Sequence, residues 1–163
     1  PFVDFFYFDV LSSLREFKIG IEAIKSFNKP YLIGAHISEG TKLPSNESIS
    51  DIINKIEHRN LLGLMLSCVS PENYQKNSHE IKSLGVPFGF KLNAFKTTIS
   101  QNGYMAQYTK SNGNPNEFLG QRKDLTPENL AIIVKKFKDS GATILGGCCE
   151  TKPEHIKEIA KLK

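Results

Sequence analysis

The chain has 163 residues, enough for one domain, and its 39% hydrophobic and 23% charged residues exclude a disordered chain. The formal net charge is +4, but the lysines are spread along helical stretches without interleaved aromatics, which argues against a nucleic-acid surface. No apolar run is long enough for a membrane span, and three cysteines, two of them adjacent, fit a reducing cytoplasm better than a secreted disulfide framework.

In chain order, short apolar runs alternate with helical patterns. The run at 4–8 is followed by Ser13 and, three residues on, Glu16, a capping box opening a helix with Phe17, Ile21 and Ile24 on one face. The run at 31–35 leads through a Gly/Lys/Pro/Ser-rich turn to a helix near Ser48, with Ile49, Ile52, Ile53 and Ile56 inward. After the run at 62–66, Ser70 and Pro71 read as N-cap and first helical residue, and the helix runs to about Leu84. The run at 87–92 is followed by a long polar stretch, 95–124, expected to be a lid or active-site loop or a plain surface insertion. Helix signals return at Thr126-Pro127-Glu128, with Leu130, Val134 and Phe137 inward and Gly141 as the stop. The last run, 142–145, precedes Thr151 and Glu154, read as a second capping box, with Ile156, Ile159 and Ala160 forming the stripe.

Five β/α units in a row predict a parallel α/β fold. An open doubly wound sheet and part of a (β/α)₈ barrel compete. The absence of a Gly-rich phosphate fingerprint after the first strand weakens the former. The chain enters on an apolar run at Pro1, so N-terminal β/α units are expected to be missing.

The strand ends carry polar residues: Asp9; His36 and Ser38; Cys68; Asn93; Cys148 and Cys149. A barrel gathers its catalytic groups at those ends, so three thiols far apart in sequence can meet. Three thiolates suit Zn²⁺ and leave a fourth position open, as in catalytic sites. Gly146 and Gly147 are expected to turn the backbone so that both following cysteines face one metal. Cys68 alone would read as core packing; the vicinal pair tips the balance to metal. A redox pair is the other use of adjacent cysteines, although the usual redox spacing is Cys-x-x-Cys. His155 reads as a helix-face residue.

Gly146-Gly147-Cys148-Cys149, followed by Glu150-Thr151-Lys152-Pro153-Glu154-His155-Ile156, resembles the GGCCG-T-x-P-E-H-I signature of the homocysteine S-methyltransferase family. Gly63-Leu64-Met65-Leu66-Ser67-Cys68 with Pro71-Glu72 resembles that family's G-x-N-C-x-x-P segment, Phe8-Asp9 with Ser12-Ser13 its F-E-T strand end, and Leu92-Asn93-Ala94 its Y-P-N-A/S strand end. The resemblance implies an incomplete TIM (β/α)₈ barrel, with roughly strands 4 to 8 in residues 1–163. It implies Zn²⁺ on Cys68, Cys148 and Cys149, and methyl transfer to the thiol of L-homocysteine to form methionine. The donors implied are S-methylmethionine, S-adenosylmethionine, betaine or a methyl-corrinoid. Asp9 and Asn93 become the substrate-binding candidates, Asp9 for the substrate's amino group. The sequence departs from the family pattern with Asp9 for Glu, Ser67 for Asn, Lys91 for Pro and Glu150 for Gly. The rivals are an incomplete, inactive fragment acting at most as a zinc- or thiol-binding module, and a redox domain using Cys148 and Cys149.

Overall fold

The computed structural model describes residues 2–37, 39–97 and 119–163. Among these lie five strands and five α-helices in strict alternation: β1 Phe6–Leu11, α1 Leu14–Ile24, β2 Tyr31–His36, α2 Ile49–Lys55, β3 Leu61–Val69, α3 Pro71–Ser83, β4 Phe88–Leu92, α4 Pro127–Asp139, β5 Ile144–Gly147 and α5 Pro153–Ala160. All neighbouring strands pair in parallel, in the order β1-β2-β3-β4-β5. Sequence order and spatial order coincide, so these five strands contain no reversal of the kind that marks a doubly wound sheet.

The sheet is curled. The Lys91 ammonium of β4 pairs with the Asp9 carboxylate of β1, reaching across β2 and β3. In a flat sheet those two strands would stand roughly 14 Å apart, three inter-strand spacings. A lysine and an aspartate together fall short of that, so β1 and β4 must bend toward one another on the face that carries both side chains.

The opposite face holds the apolar core under the helices. Phe17, Ile33, Leu64, Leu66, Phe90, Leu92, Leu130 and Val134 are all fully buried there. Where β4 meets α3 and α4, the rings of Tyr74, Phe90 and Phe137 pack with centroids 4.6–5.5 Å apart, inside the range in which aromatic pairs attract beyond their area.

Helix starts follow the local chemistry. Ser13 and Glu16 form the expected capping box. Ser70 accepts from Asn73 N–H with Pro71 next, and Thr126 accepts from Asn129 N–H with Pro127 next. The last helix differs from expectation. Its N-cap is Lys152, whose N–H donates to Nδ1 of buried His155 at 3.0 Å, and the Thr151 hydroxyl donates instead to the Cys148 carbonyl. With Nδ1 accepting, Nε2 carries the proton and donates to the Leu125 carbonyl at 3.0 Å. His155 therefore ties α5 to the start of α4, while Ile156 is exposed.

Strand limits also differ. β1 starts and ends later than residues 4–8, and β3 runs on through Cys68 to Val69. Both strands continue past their polar residue through a β-bulge. Register shifts fall between Phe8 and Leu11 and between Ser67 and Val69, and there Val10 (φ 59°) and Cys68 (φ 56°) take the left-handed conformation. Of the 95–124 stretch, residues 98–118 lie outside the described residues. Its two ends run antiparallel: Phe95 bridges Gln121, and Arg122 N–H donates to the Ala94 carbonyl.

The approach of β4 to β5 rests on Gly89, where an added Cβ would lie 1.7 Å from the Ile144 carbonyl oxygen. Because backbone is in the way, the strand itself has to shift. Gly89→Ala is expected to cost about 3 kcal/mol or more, the upper range for overpacking, read as a fall in thermal midpoint against the parent chain.

Candidate metal centre

The three cysteines converge. Their sulfurs all lie within 4.8 Å of one another, with Cys68–Cys149 at 3.6 Å and Cys148–Cys149 at 4.0 Å. Four ligands set tetrahedrally about Zn²⁺ with Zn–S near 2.3 Å stand about 3.8 Å apart, so the sulfur separations fit that ion. All three are free thiols, partly accessible to solvent.

Each sulfur is placed by an identifiable device. Cys68 sits in the β3 bulge, whose left-handed backbone turns the side chain out of the strand's alternation. Fully buried Asn93 fastens that bulge: its amide donates to the Cys68 carbonyl at 2.6 Å, its backbone N–H to the Val69 carbonyl, and its Oδ1 accepts from Phe95 N–H. The side-chain bonds of Asn93 thus go to the cysteine segment and the β4 end. Cys148 and Cys149 follow β5 directly; Cys148 N–H donates to the Leu92 carbonyl, and the Cys149 carbonyl accepts from Ala94 N–H. Gly146 and Gly147 belong to the extended strand and make no turn. Gly147 supplies space, since a Cβ on it would fall 2.4 Å from the Thr151 hydroxyl that holds the Cys148 carbonyl.

The cluster divides its charge unevenly. The hydrogen bond from Cys68, against the cost of burial, together with the Cys149 N–H and the Lys91 charge, lowers the Cys148 thiol to about 6. Cys68 is pushed up, first by its bond to Cys148 and then by burial, and Cys149 is raised by burial and by the Cys148 charge. The cluster thus favours placing its first negative charge on Cys148.

A polar network lies beneath the sulfurs on the same inner face. The Tyr7 hydroxyl donates to Asp9 Oδ1 at 2.6 Å and meets the Ser67 hydroxyl at 3.0 Å, while Lys91 pairs with Asp9 Oδ2. Against the opposing effect of burial, the bonds from Lys91 and Tyr7 hold the Asp9 carboxyl below its ordinary range. Gly34 makes room: a Cβ there would lie 2.2 Å from Ser67 Oγ and 2.9 Å from the Tyr7 hydroxyl. Asp9 thus lies on the same inner face as the thiols. His36 closes β2, and Ser38 lies outside the described residues. Tyr7 and Ser67 carried no sequence signal as site residues, though Tyr7 lies two positions from Asp9 and so on its face.

The family model for homocysteine S-methyltransferase matches residues 1–162. The chain belongs to the homocysteine S-methyltransferase family. It is 28% identical to homocysteine S-methyltransferase 1 of Saccharomyces cerevisiae, over 97% of this chain and 47% of that protein. It is 26% identical to homocysteine S-methyltransferase YbgG of Bacillus subtilis, over 93% of this chain and 44% of that protein. A shorter stretch, 26% of this chain and 13% of the relative, is 42% identical to selenocysteine methyltransferase of Astragalus bisulcatus. The chain spans about half the length of the first two relatives.

Membership gives one departure a physical meaning. Glu150 stands where the family signature has Gly, and its φ is 61°. A side chain there costs roughly 1–2 kcal/mol that glycine avoids. Glu150→Gly is expected to stabilise the chain by about 1 kcal/mol, a rise of roughly 2–4 °C in thermal midpoint. In the metal-free, reduced chain, iodoacetamide should alkylate Cys148 ahead of Cys68 and Cys149. The rate should climb as pH passes about 6, where the Cys148 thiolate forms; peptide mass spectrometry after timed quenching reads the order.

Proposed function

We propose that this chain contributes the metal-binding part of an enzyme that transfers a methyl group to the thiol of L-homocysteine, forming methionine, with Zn²⁺ held by Cys68, Cys148 and Cys149. The observation that carries the reading is the meeting of three sulfurs, one from the bulge inside β3 and two from just after β5, at the spacing a tetrahedral zinc site needs. The redox alternative uses Cys148 and Cys149 alone and leaves the convergence of Cys68 without a purpose. A reducing cytoplasm suits thiols kept free for a metal.

Cys68, Cys148 and Cys149 would hold the zinc, which would supply the Lewis acidity that keeps an incoming thiol deprotonated at neutral pH. The chain's own residues do the rest. Methyl transfer to sulfur forms an S–C bond and breaks the donor's bond to the methyl group, so it requires alignment rather than a proton relay. Asn93 is a positioning residue, fixing the Cys68 bulge from the next strand, as groups behind metal ligands do. Asp9, held by Tyr7 and Lys91, is the group that would take the substrate's ammonium. The clamp of Arg122 on Glu72, at 2.8 Å to both carboxylate oxygens, together with its bond to Asp124, anchors the return of the 95–124 stretch beside the thiols. S-methylmethionine, S-adenosylmethionine, betaine and a methyl-corrinoid are the donors to be compared.

Residues 1–163 are read as the C-terminal part of one (β/α)₈ barrel, roughly strands 4 to 8, with further β/α units belonging before β1. The curl of the sheet, the unbroken strand order and coverage of about half of the yeast and Bacillus relatives support this.

The test is metal content joined to product formation. The purified, reduced chain should carry about one zinc, the stoichiometry of a single three-thiolate site, and Cys68→Ala and Cys149→Ala should each lose it. A folded variant that keeps full zinc refutes the ligand set. Assays with each donor should yield methionine from at least one when the remaining β/α units are supplied; zinc without methionine from any donor leaves only a thiol-binding module.

A further inference from the structure

Lys91 is out of place in its strand. β4 reads Phe88-Gly89-Phe90-Lys91-Leu92, and its lysine points to the inner face, where only 21% of the side chain reaches solvent. A charge so placed needs a partner, and Asp9, 34% exposed, supplies it. The ammonium also lies 5.4 Å from the Tyr7 ring centroid, and a Cβ on Gly146 would touch the Lys91 stem at 3.4 Å. In register, Lys91 stands opposite Ser67 on one side and Gly146 on the other, one residue short of Cys68 and two short of Cys148. At ~3.3 Å per residue, the Lys91 backbone therefore lies roughly 3–7 Å before the cysteine positions along the strand direction.

We propose that Lys91 is the specificity-determining residue of this site: the Lys91–Asp9 pair opens to accept an α-amino-acid head group, the carboxylate going to Lys91 and the ammonium to Asp9. The proposal rests on the homocysteine reading of the thiol site and names what selects that substrate. Asp9 is the fixed half, because Tyr7 holds Oδ1 and Ser67 braces Tyr7. Lys91, on a flexible four-carbon stem, is the half that moves, and it takes the other oxygen, Oδ2. A zwitterion exchanges one ion pair for two and leaves neither charge alone. A thiol with only an ammonium can reach Asp9 solely by stranding Lys91 in a half-buried position, and a thiol with only a carboxylate takes Lys91 from Asp9 without replacing it. Leaving either half-buried charge without its partner carries a cost that a single new pair has to offset.

The zinc-loaded chain is titrated calorimetrically with L-homocysteine, 3-aminopropane-1-thiol and 4-sulfanylbutanoate, for the parent, Lys91→Met and Lys91→Arg. The parent should prefer L-homocysteine to either analogue by about tenfold or more, the worth of one charge-assisted hydrogen bond. Lys91→Met should lose about that factor for L-homocysteine and for 4-sulfanylbutanoate. Its affinity for 3-aminopropane-1-thiol should hold or improve, and Lys91→Arg should keep the preference for the zwitterion. Equal affinity of the parent for all three thiols overturns the proposal without recourse to any variant. So does tighter binding of L-homocysteine by Lys91→Met, which would make Lys91 a mere occupant of Asp9. A folded parent chain that takes up zinc but none of the three thiols overturns the homocysteine reading and this proposal with it.

Discussion

The backbone turn at Cys68 is the constraint on which the site depends. A strand that kept its alternation through residue 68 would send consecutive side chains to opposite faces, and the β3 sulfur would not be delivered to the pair that follows β5. The bulge breaks the alternation at the cost of a left-handed residue that is not glycine, a strain of roughly 1–3 kcal/mol tolerated where the surroundings over-determine it. Here they do: the Asn93 amide grips the Cys68 carbonyl, and the Asn93 N–H holds Val69 on the far side of the turn. Cys148 and Cys149 need no such device, because β5 ends just before them and Thr151 and Ala94 secure the carbonyls that follow.

The same device recurs in β1. Val10, β-branched and left-handed, lies in the other bulge of the sheet, next to Asp9. Two strained strand segments thus frame the inner face, one presenting a thiol and one a carboxylate. Between them the side chains of Tyr7, Ser67 and Lys91 form a polar layer on the inner face. Glycines at 34 and 89 keep the neighbouring strands close enough for that layer to form, since a Cβ at either would collide with its contents or with backbone. Packing on the helix side supplies stability, and the inner face is left free for chemistry.

Most of the strand–helix alternation could be read from the sequence because it rests on local signals: apolar runs, and Ser or Thr before Pro or ahead of an acidic residue. The convergence of the cysteines was legible because a parallel sheet puts all strand C-termini at one end. Three things were not. Bulges leave no mark when the left-handed residues are Val10 and Cys68 rather than glycine, so Asp9 and Cys68 read as strand ends when they lie inside strands. The last helix cap was misread because Thr151 and Glu154 match a common pattern, while the actual contact, His155 Nδ1 on the Lys152 N–H, depends on a buried histidine whose other nitrogen finds Leu125. The Lys91–Asp9 pair, 82 positions apart, exists only because the sheet curls, and no local pattern encodes curvature.

X-ray absorption at the zinc edge tests the central claim most directly. For the zinc-loaded chain the account predicts three sulfur neighbours at about 2.3 Å, rising to four when L-homocysteine is added. Two sulfurs or fewer, or a shell unchanged by the added thiol, would contradict it.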